Sequence, residues 1–169
     1  DIAANSKPGN IIKLLLQNKI QYNDYALKYG SIIVKINNKK FEITSLRRDI
    51  NHKGRKTDIE FTNDWKVDAE RRDFTINSIY LSIDGKISDY FGGIKDLEES
   101  RIKFIGNIEN RIEEDYLRIY RYYRFLGIFK KPNLIKGYEE ILSKKLNKSF
   151  KYISNDVLRK EILKMFNTS

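Results

Sequence analysis

The sequence contains no cysteine and only one histidine, one methionine, one tryptophan and two prolines. Without cysteine, disulfide bonds and thiolate metal sites are excluded, and the single His52 rules out a zinc site built from several histidines. No apolar run approaches the roughly 18 residues that a membrane-spanning helix needs. These absences agree with a reducing, cytoplasmic location and predict no membrane partner.

Positive charge is in excess: 33 Lys and Arg stand against 23 Asp and Glu, a formal net charge of +10. Charge of this size favours polyanionic partners such as nucleic acid, although it also serves solubility alone. The excess is concentrated in residues 101–169, which hold 16 basic and eight acidic residues. A chain of 169 residues with 40% hydrophobic content can bury one core with a small appended lobe.

Hydrophobic patterns divide the chain into a mixed part and a helical part. A helix is predicted after Ser6, with Ser6 as its cap and Pro8 in its first turn, and later helices are predicted near 134–146 and 156–166. Alternating residues predict hairpins at 32–43, turning at Asn37 and Asn38, and at 79–91, turning at Asp84 and Gly85. Residues 47–58 lack an apolar period and are predicted to form a mobile loop; residues 68–77 and 112–126 are predicted as helices.

The segment 71–77, RRDFTIN, is the most informative in the chain. It places two guanidiniums, a carboxylate and an amide around two large apolar anchors, a composition suited to holding a sugar and a polyphosphate. On a helix, Asp73 and Asn77 would share a face and reach one ligand. The alternative is a charge cluster at a helix start, in which Asp73 pairs with Arg71. A second polar run follows at residues 114–118.

Several blocks together resemble the class II tRNA nucleotidyltransferases and bacterial poly(A) polymerases, which extend RNA 3′ ends. Residues 71–77 match the RRDFTxN motif of that family, and residues 89–97 match its DxFGGxxDL hinge. Residues 105–125 match the block IGN followed by RxxEDxLRIxRxxRF, while residues 41–47 and 153–166 are similar to weaker motifs. The resemblance implies a polymerase-beta-like nucleotidyltransferase head with a small mixed sheet over residues 1–97 and an all-α neck over residues 98–169, an α+β fold.

The resemblance implies metal-dependent nucleotidyl transfer. Such transfer uses divalent metals held by a few carboxylates. Mg²⁺ is commonly coordinated by one or two carboxylates together with phosphate and water oxygens. Asp1 and Glu42 are the acids the chain supplies for this catalytic and metal-binding role. The alternatives are a frayed terminal carboxylate for Asp1 and a solvated strand residue for Glu42.

The resemblance also implies a nucleotide site in which Asp73 and Asn77 bind the ribose and Arg72 binds a phosphate. Asp115 would accept a hydrogen bond from the amino group of cytosine or adenine, while Arg118 donates to the neighbouring ring nitrogen. Uracil and guanine carry a carbonyl acceptor in place of the amino group and a ring N–H donor in place of the bare nitrogen. The pair would therefore select CTP and ATP without a template. The alternative is an ordinary ion pair three residues apart on a helix. Three further cations surround this pair: Arg111, Arg121 and Arg124. Arg121 and Arg124 would contact the triphosphate.

RNA contacts are expected in the basic stretch 47–56, where Arg47, Arg48 and Arg55 would guide the primer end. A solvated basic loop is the alternative. The family's glycine-rich GGxVRD turn and the first of its two aspartates precede the part that matches here, and Asp1 aligns with the second aspartate. We therefore expect a fragment or one part of a split enzyme that works with a second polypeptide carrying that turn.

The predicted function is tRNA CCA addition, which transfers CMP and AMP from CTP and ATP to the 3′-hydroxyl of a tRNA or another RNA 3′ end with Mg²⁺. A poly(A) polymerase of the same family is one alternative. A non-catalytic RNA-binding remnant, which shares the basic helices but lacks turnover, is the other.

Overall fold

The computed structural model describes the backbone of residues 1–53 and 56–166 and the side chains of residues 1–50 and 58–166. The chain forms two compact units, residues 1–51 with 57–71 and residues 52–56 with 72–169. In these described ranges, no helix is both long enough and apolar enough to cross a membrane. A mixed sheet in the first unit and many helices in the second confirm the predicted α+β class. The functional division at residue 97 stays a prediction.

Residues 1–71 form a mixed sheet with two flanking helices, and alternating apolar residues place its core on one face of the sheet. Ile32 and Val34 pack against Ile11 and Leu15 there. In chain order the elements are β1 (Ile2–Ala4), α1 (Pro8–Gln17), β2 (Tyr22–Asn23), β3 (Ser31–Ile36), β4 (Lys39–Ser45), β5 (Arg47–Lys53), β6 (Lys56–Phe61) and α2 (Trp65–Glu70).

The four-stranded sheet has the order β1-β4-β3-β2, with β1 parallel to β4 and the other pairs antiparallel. The predicted first hairpin is confirmed: Asn37 and Asn38 make its turn at φ of 47° and 63°, a left-handed conformation that asparagine tolerates. The predicted start of α1 at Pro8 is also confirmed. Ser6 is not its cap, because Lys7 takes that place without a side-chain capping bond.

The prediction of a loop at residues 47–58 is wrong, because β5 and β6 pair as a two-stranded sheet. Arg48 and Glu60 form an ion pair of 2.8 Å with both side chains more than half exposed. The sequence of β5 and β6 is mostly polar and shows no hydrophobic alternation, although backbone hydrogen bonds can pair such strands all the same. This is why the sequence pattern missed it.

The prediction of one helix over residues 68–77 is also wrong. α2 begins at an Asp64 cap, whose side chain accepts from the backbone N–H groups of Lys66 and Val67, and ends at Glu70. Phe74 is extended, with φ −122° and ψ 151°, and forms a β-bridge with Phe104. Backbone pairing with a distant segment therefore replaces the local helix that spacing alone favoured.

Residues 72–166 form a second core, dominated by aromatic rings. Phe74 meets Phe104 edge to face with ring centroids 4.8 Å apart, and Phe104 stacks on Tyr122. In chain order the elements are a 3-10 turn (Thr75–Ser78), β7 (Ile79–Leu81), β8 (Ile87–Asp89), α3 (Gly93–Glu98), α4 (Ile108–Glu114), α5 (Leu117–Leu126), α6 (Tyr138–Tyr152) and α7 (Asn155–Phe166). The pairing of β7 with β8 confirms the second predicted hairpin.

The predicted continuous helix over 112–126 is broken between α4 and α5. Asp115 ends α4 in an extended conformation, with φ −150° and ψ 104°. Ile112, Ile119 and Leu126 are buried on the two sides of the break, so the apolar spacing of the sequence continues across it. Tyr123 follows the same spacing but is 38% exposed, whereas its neighbour Tyr122 is 1% exposed.

The segment after β8 braces the 3-10 turn. Asp89 caps α3 by accepting backbone N–H bonds from Phe91, Gly93 and Ile94. At Gly93, an added Cβ would lie 2.2 Å from the backbone oxygen of Thr75, so only glycine permits this approach. Buried Asp96 then accepts from the Thr75 hydroxyl at 2.6 Å. Thus residues 89–96, a predicted hinge, are anchored to the segment 71–77.

Arg124 joins α5 to α7. Its Nε donates to Oε1 of Glu161 at 2.6 Å, and Lys164 also pairs with Glu161 at 3.3 Å. Burial raises the pKa of Glu161, but the two cations outweigh that effect and leave the pKa below its ordinary value. The carboxylate is therefore charged within the helical packing.

We expect Gly93→Ala to lower the free energy of unfolding by about 3 kcal/mol, the upper end of overpacking costs, because the new methyl group collides with a backbone oxygen. Gly9→Ala is the matched control, since a Cβ there meets nothing within 4 Å. Urea titration of both variants measures the difference. Equal stabilities for the two would contradict the close approach.

Because of Glu161, the free energy of unfolding should fall at acidic pH. The pKa of Glu161 is lowered in the folded chain. Its contribution to the free energy of unfolding is therefore complete above the ordinary glutamate pKa of about 4.3, and it is lost as the pH falls through the lower pKa of the folded state. Glu161→Gln should lose about 3 kcal/mol at pH 7, since Arg124 keeps a buried charge without its partner. It should also show a flatter stability profile between about pH 5 and 3.

The exposed pair of Glu140 with Lys144 supplies the control. Glu140→Gln should leave the free energy of unfolding almost unchanged, because solvent screens exposed ion pairs. Urea unfolding at a series of pH values compares the two variants with the unaltered chain. A wild-type profile as flat as that of Glu161→Gln would argue against a charged Glu161.

Candidate nucleotide and metal site

Two acidic residues occupy neighbouring backbone positions where the pairing of β1 with β4 begins. The register joins Ile2 to Ile43, so Asp1 and Glu42 each immediately precede paired residues on neighbouring strands. Residues in register project to the same face, and neighbouring strands lie about 4.8 Å apart. Both residues are exposed.

This donor set fits Mg²⁺, which is satisfied by one or two carboxylates when phosphate and water complete its octahedron. Over the described residues, no group of three or more acidic or histidine side chains could enclose a metal ion. Any ion at Asp1 and Glu42 would therefore need oxygens from a ligand. The catalytic and metal roles of both residues stay predictions.

The residues predicted to guide RNA lie on and beyond β5. Arg47 is only 18% exposed at its side chain and lies 3.6 Å from Asp49, while Arg48 is exposed beside Glu60. Arg55 lies outside the described residues. Arg48 is the better placed of the two described arginines to meet a phosphate, because its guanidinium is already at the surface.

The carboxylate of Asp73 is the centre of a polar cluster in the second unit. Its Oδ1 accepts from the backbone N–H of Phe74 at 3.0 Å and from Nδ2 of Asn77 at 2.9 Å. Its Oδ2 accepts from Nε of Arg121 at 2.6 Å. Asp73 and Asn77 are thus brought together as predicted, but across an extended segment and a 3-10 turn. Arg71 is not the partner of Asp73, because it binds Asp68 instead.

Charge and hydrogen bonding keep Asp73 ionised although it is buried. Burial raises the pKa of its carboxyl group, but the Arg121 guanidinium, the amide of Asn77 and the charge of Arg118 together hold the pKa below its ordinary value. A charged carboxylate beside an amide is a strong acceptor and donor pair for the two hydroxyl groups of a ribose.

Arg72 and Arg111 are fixed to the same segment by backbone oxygens. Nη1 of Arg72 donates to the carbonyl of Asn77 at 2.9 Å, and the guanidinium lies 4.9 Å from the ring centroid of Tyr80. Arg111 donates from Nη2 to the carbonyl of Arg72. The sequence did not indicate Tyr80, because its role depends on the return of a hairpin strand beside Arg72.

Glu114 is the residue of this cluster that the sequence analysis missed. Its Oε2 accepts from Arg111 and from Arg118, each at 2.6 Å. Arg118 also donates to the carbonyl of Arg111 at 2.8 Å. The spacing of three and four residues around Glu114 was the available signal. Its effect is to fix two guanidiniums in one orientation.

Asp115 lies at the break between α4 and α5, so the prediction that it shares a helix with Arg118 is wrong. Its Oδ1 accepts from the backbone N–H of Leu117 at 3.0 Å, and its carbonyl accepts from the N–H of Arg118 at 3.0 Å. The side chain thus caps the start of α5. A guanidinium has five N–H donors, so the bonds from Nη1 of Arg118 leave other donors of that group for a ligand.

The predicted triphosphate contacts Arg121 and Arg124 differ in their surroundings. Arg121 is 29% exposed beside Asp73, whereas Arg124 is 13% exposed and paired with Glu161. This geometry favours Arg121 for binding phosphate and a structural role for Arg124. Both assignments stay predictions. Chemically, the cluster combines an ionised carboxylate, an amide and several oriented guanidiniums, the groups that bind sugar and phosphate.

Residues 1–103 match the family described as the Poly A polymerase head domain. CCA tRNA nucleotidyltransferase 1, mitochondrial, from Homo sapiens is 44% identical over 134 residues, covering 78% of this chain and 31% of the relative. The CCA-adding enzyme of Lactobacillus johnsonii is 33% identical over 173 residues, covering 98% of this chain and 40% of the relative. The chain thus spans well under half the length of these curated relatives.

Solved structures agree with the predicted head followed by helices. The crystal structure of Bacillus stearothermophilus CCA-adding enzyme in complex with CTP has a TM-score of 0.83 at 25% identity, covering 96% of this chain and 38% of that one. A tRNA nucleotidyltransferase complexed with a primer tRNA and an incoming ATP analog shares the fold, with a TM-score of 0.71 at 23% identity and coverages of 98% and 49%. With its nucleotidyltransferase fold and a match over residues 1–103, more than half its length, the chain belongs to the Poly A polymerase head domain family.

Proposed function

We propose that this chain carries the nucleotide-handling part of an enzyme that adds CCA to tRNA. The observation that carries the proposal is the polar cluster around Asp73, Glu114 and Arg118, in a chain whose relatives include CCA tRNA nucleotidyltransferases and CCA-adding enzymes. The reaction attaches the α-phosphate of CTP or ATP to the 3′-hydroxyl of the tRNA and releases pyrophosphate.

Sugar and phosphate recognition falls to the residues of the segment 71–77 and the face of α5. Asp73 accepts from a ribose hydroxyl while Asn77 binds the other, which favours ribonucleotides over deoxyribonucleotides. Arg72 and Arg121 neutralise phosphate oxygens, and Arg111 and Arg124 hold the surrounding backbone and helix. The internal bonds of this cluster support the proposal because they orient the groups before a ligand arrives.

Base selection falls to Asp115 and Arg118. Asp115 accepts from the exocyclic amino group, and Arg118, oriented by Glu114, donates to the adjacent ring nitrogen of cytosine or adenine. With uracil or guanine, an acceptor faces an acceptor and a donor faces a donor. Each such mismatch costs about 1–3 kcal/mol.

Asp1 and Glu42 would hold the Mg²⁺ of the reaction. When bound, this ion lowers the pKa of the attacking hydroxyl group and neutralises the leaving pyrophosphate. Arg48, with Arg47 and Arg55, would guide the RNA end, and the positive net charge would aid the encounter with RNA. A cytoplasmic location remains part of this proposal.

A poly(A) polymerase is the second candidate, favoured by the description of the matching family. It would share the head and the base-selecting pair but would add adenosine alone in a long run. An RNA-binding remnant would bind RNA without extending it. All three outcomes differ in an extension assay.

In that assay, a tRNA lacking its 3′ CCA is incubated with Mg²⁺ and each nucleoside triphosphate, alone and combined. The chain is tested by itself and with a peptide carrying the glycine-rich turn. We expect C, C and then A to be added, and Glu42→Ala to slow addition by about 100-fold or more, because the metal loses a carboxylate. Gel analysis at single-nucleotide resolution measures both.

Asp24→Ala is the control for that assay, because Asp24 is an exposed acid of the same unit. It should extend the tRNA at the wild-type rate. A long run of adenosine would favour the poly(A) alternative. No extension in either mixture would exclude catalysis by this chain, and an unchanged rate in Glu42→Ala would exclude its metal role.

Asp115→Asn should weaken base selection. The amide presents both a donor and an acceptor, so it can face the carbonyl group of uracil as well as an amino group. We expect the preference for CTP over UTP to fall about tenfold or more, because one mismatched polar pair is relieved. Single-turnover incorporation of each nucleotide measures the ratio.

Glu109→Gln is the isosteric control for Asp115→Asn. Glu109 is an exposed acid on α4, and its loss should leave the preference unchanged. A wild-type preference in Asp115→Asn would show that another group reads the base.

A further inference from the structure

Side chains of α6 contact the break between α4 and α5 on both sides of Asp115. Before the break, Nζ of Lys145 pairs with the carboxylate of Glu113. After it, the ring of Tyr152 stacks on Tyr116 with centroids 4.8 Å apart and planes within 4°. Lys145 and Tyr152 are seven residues apart, two turns on one face of α6. Asp115 therefore lies between two fixed neighbours.

The same face of α6 is packed along its length, which makes it a firm support. Leu142 is fully buried, and Ser149 receives a hydrogen bond from the hydroxyl of Tyr120 at 2.9 Å, because Ser149 itself donates to the carbonyl of Leu146. Leu142, Lys145, Ser149 and Tyr152 follow the spacing of a single helix face. The backbone that carries Tyr152, the last residue of α6, is thus held in place by the packing of this face.

Tyr152 differs from an ordinary core residue. Its side chain is 61% exposed, whereas Tyr116 is 9% exposed. Its stack on Tyr116 therefore adds little apolar burial to the core but limits the rotation of Tyr116. Tyr116 directly follows Asp115, whose carboxylate accepts from the backbone N–H of Leu117.

We propose that Tyr152 is a positioning residue for base selection: by stacking on Tyr116 it fixes the direction of the Asp115 carboxylate. This inference rests on the proposed role of Asp115 and Arg118 in reading the base. Arg118 is fixed from the other side by Glu114, so the stack supplies the restraint for the second member of the pair. We expect loss of the stack to let the Asp115 carboxylate accept from more than one base edge.

The test compares Tyr152→Ala, Tyr152→Phe and Phe150→Ala in this chain. Phe150 is a matched control, because it is 61% exposed on the same helix, two residues from Tyr152 and off its face. Binding of CTP and UTP with Mg²⁺ is measured by calorimetry, and exchange of the Leu117 amide proton by NMR. Urea unfolding identifies any general loss of stability.

We expect Tyr152→Ala to reduce the ratio of CTP to UTP affinity about threefold to tenfold, the range of an aromatic pair. The Leu117 amide should exchange faster in the same variant, because its acceptor moves. Tyr152→Phe should restore both values, since it keeps the stacking ring, and Phe150→Ala should match the wild type.

A wild-type affinity ratio and amide protection in Tyr152→Ala would overturn the positioning role, as would an equal loss in Phe150→Ala. A different result would overturn the proposed function itself: equal affinity of the unaltered chain for CTP and UTP. The two failures are therefore distinguishable, because only the second concerns the unaltered chain.

Discussion

A buried carboxylate must find donors for its oxygens, and in the second unit the carboxylate of Asp73 imposes that requirement. Its donors come from its own segment, from the following 3-10 turn and from Arg121, which lies 48 residues further along the chain. Meeting them fixes the extended path through Phe74, and with it the ring at the centre of the aromatic core. Replacing a buried ion pair by apolar residues is often neutral or stabilising, so stability alone does not explain this arrangement. A requirement for an ionised and oriented hydrogen-bond acceptor would explain this arrangement.

Local sequence signals predicted the elements whose cause is local. The turns at Asn37-Asn38 and Asp84-Gly85 fixed two hairpins, and Pro8 marked the start of a helix. The wrong predictions of helices have two different causes. The helix expected through Asp73 yields to pairing between Phe74 and Phe104, and the helix expected through Asp115 is broken by capping of Leu117. The first depends on a partner about 30 residues away, and the second on a capping bond that competes with an otherwise helical pattern.

The candidate site was predictable in its residue types but not in its connections. Carboxylates and arginines of the segments 71–77 and 111–121 do meet in space, as their resemblance to known blocks suggested. The sequence did not predict which carboxylate pairs with which arginine. Asp68 forms an ion pair with Arg71, Glu114 with two arginines, and Glu161 with Arg124. Charge counts treat such residues alike, whereas their burial and partners separate orienting groups from groups that can meet a ligand.

The internal pairing of the arginines changes the meaning of the net charge. Arg111, Arg118, Arg121 and Arg124 each already engage a carboxylate. To a polyanion approaching from solution, such pairs present a nearly neutral surface, which neutralises few phosphates and so releases few of the counterions condensed on the polyanion. Lysines dominate the exposed cations of the helical part, including Lys148, Lys151 and Lys160. The proposed binding of RNA should therefore weaken with rising ionic strength mainly through these lysines, while the paired arginines contribute little to that dependence.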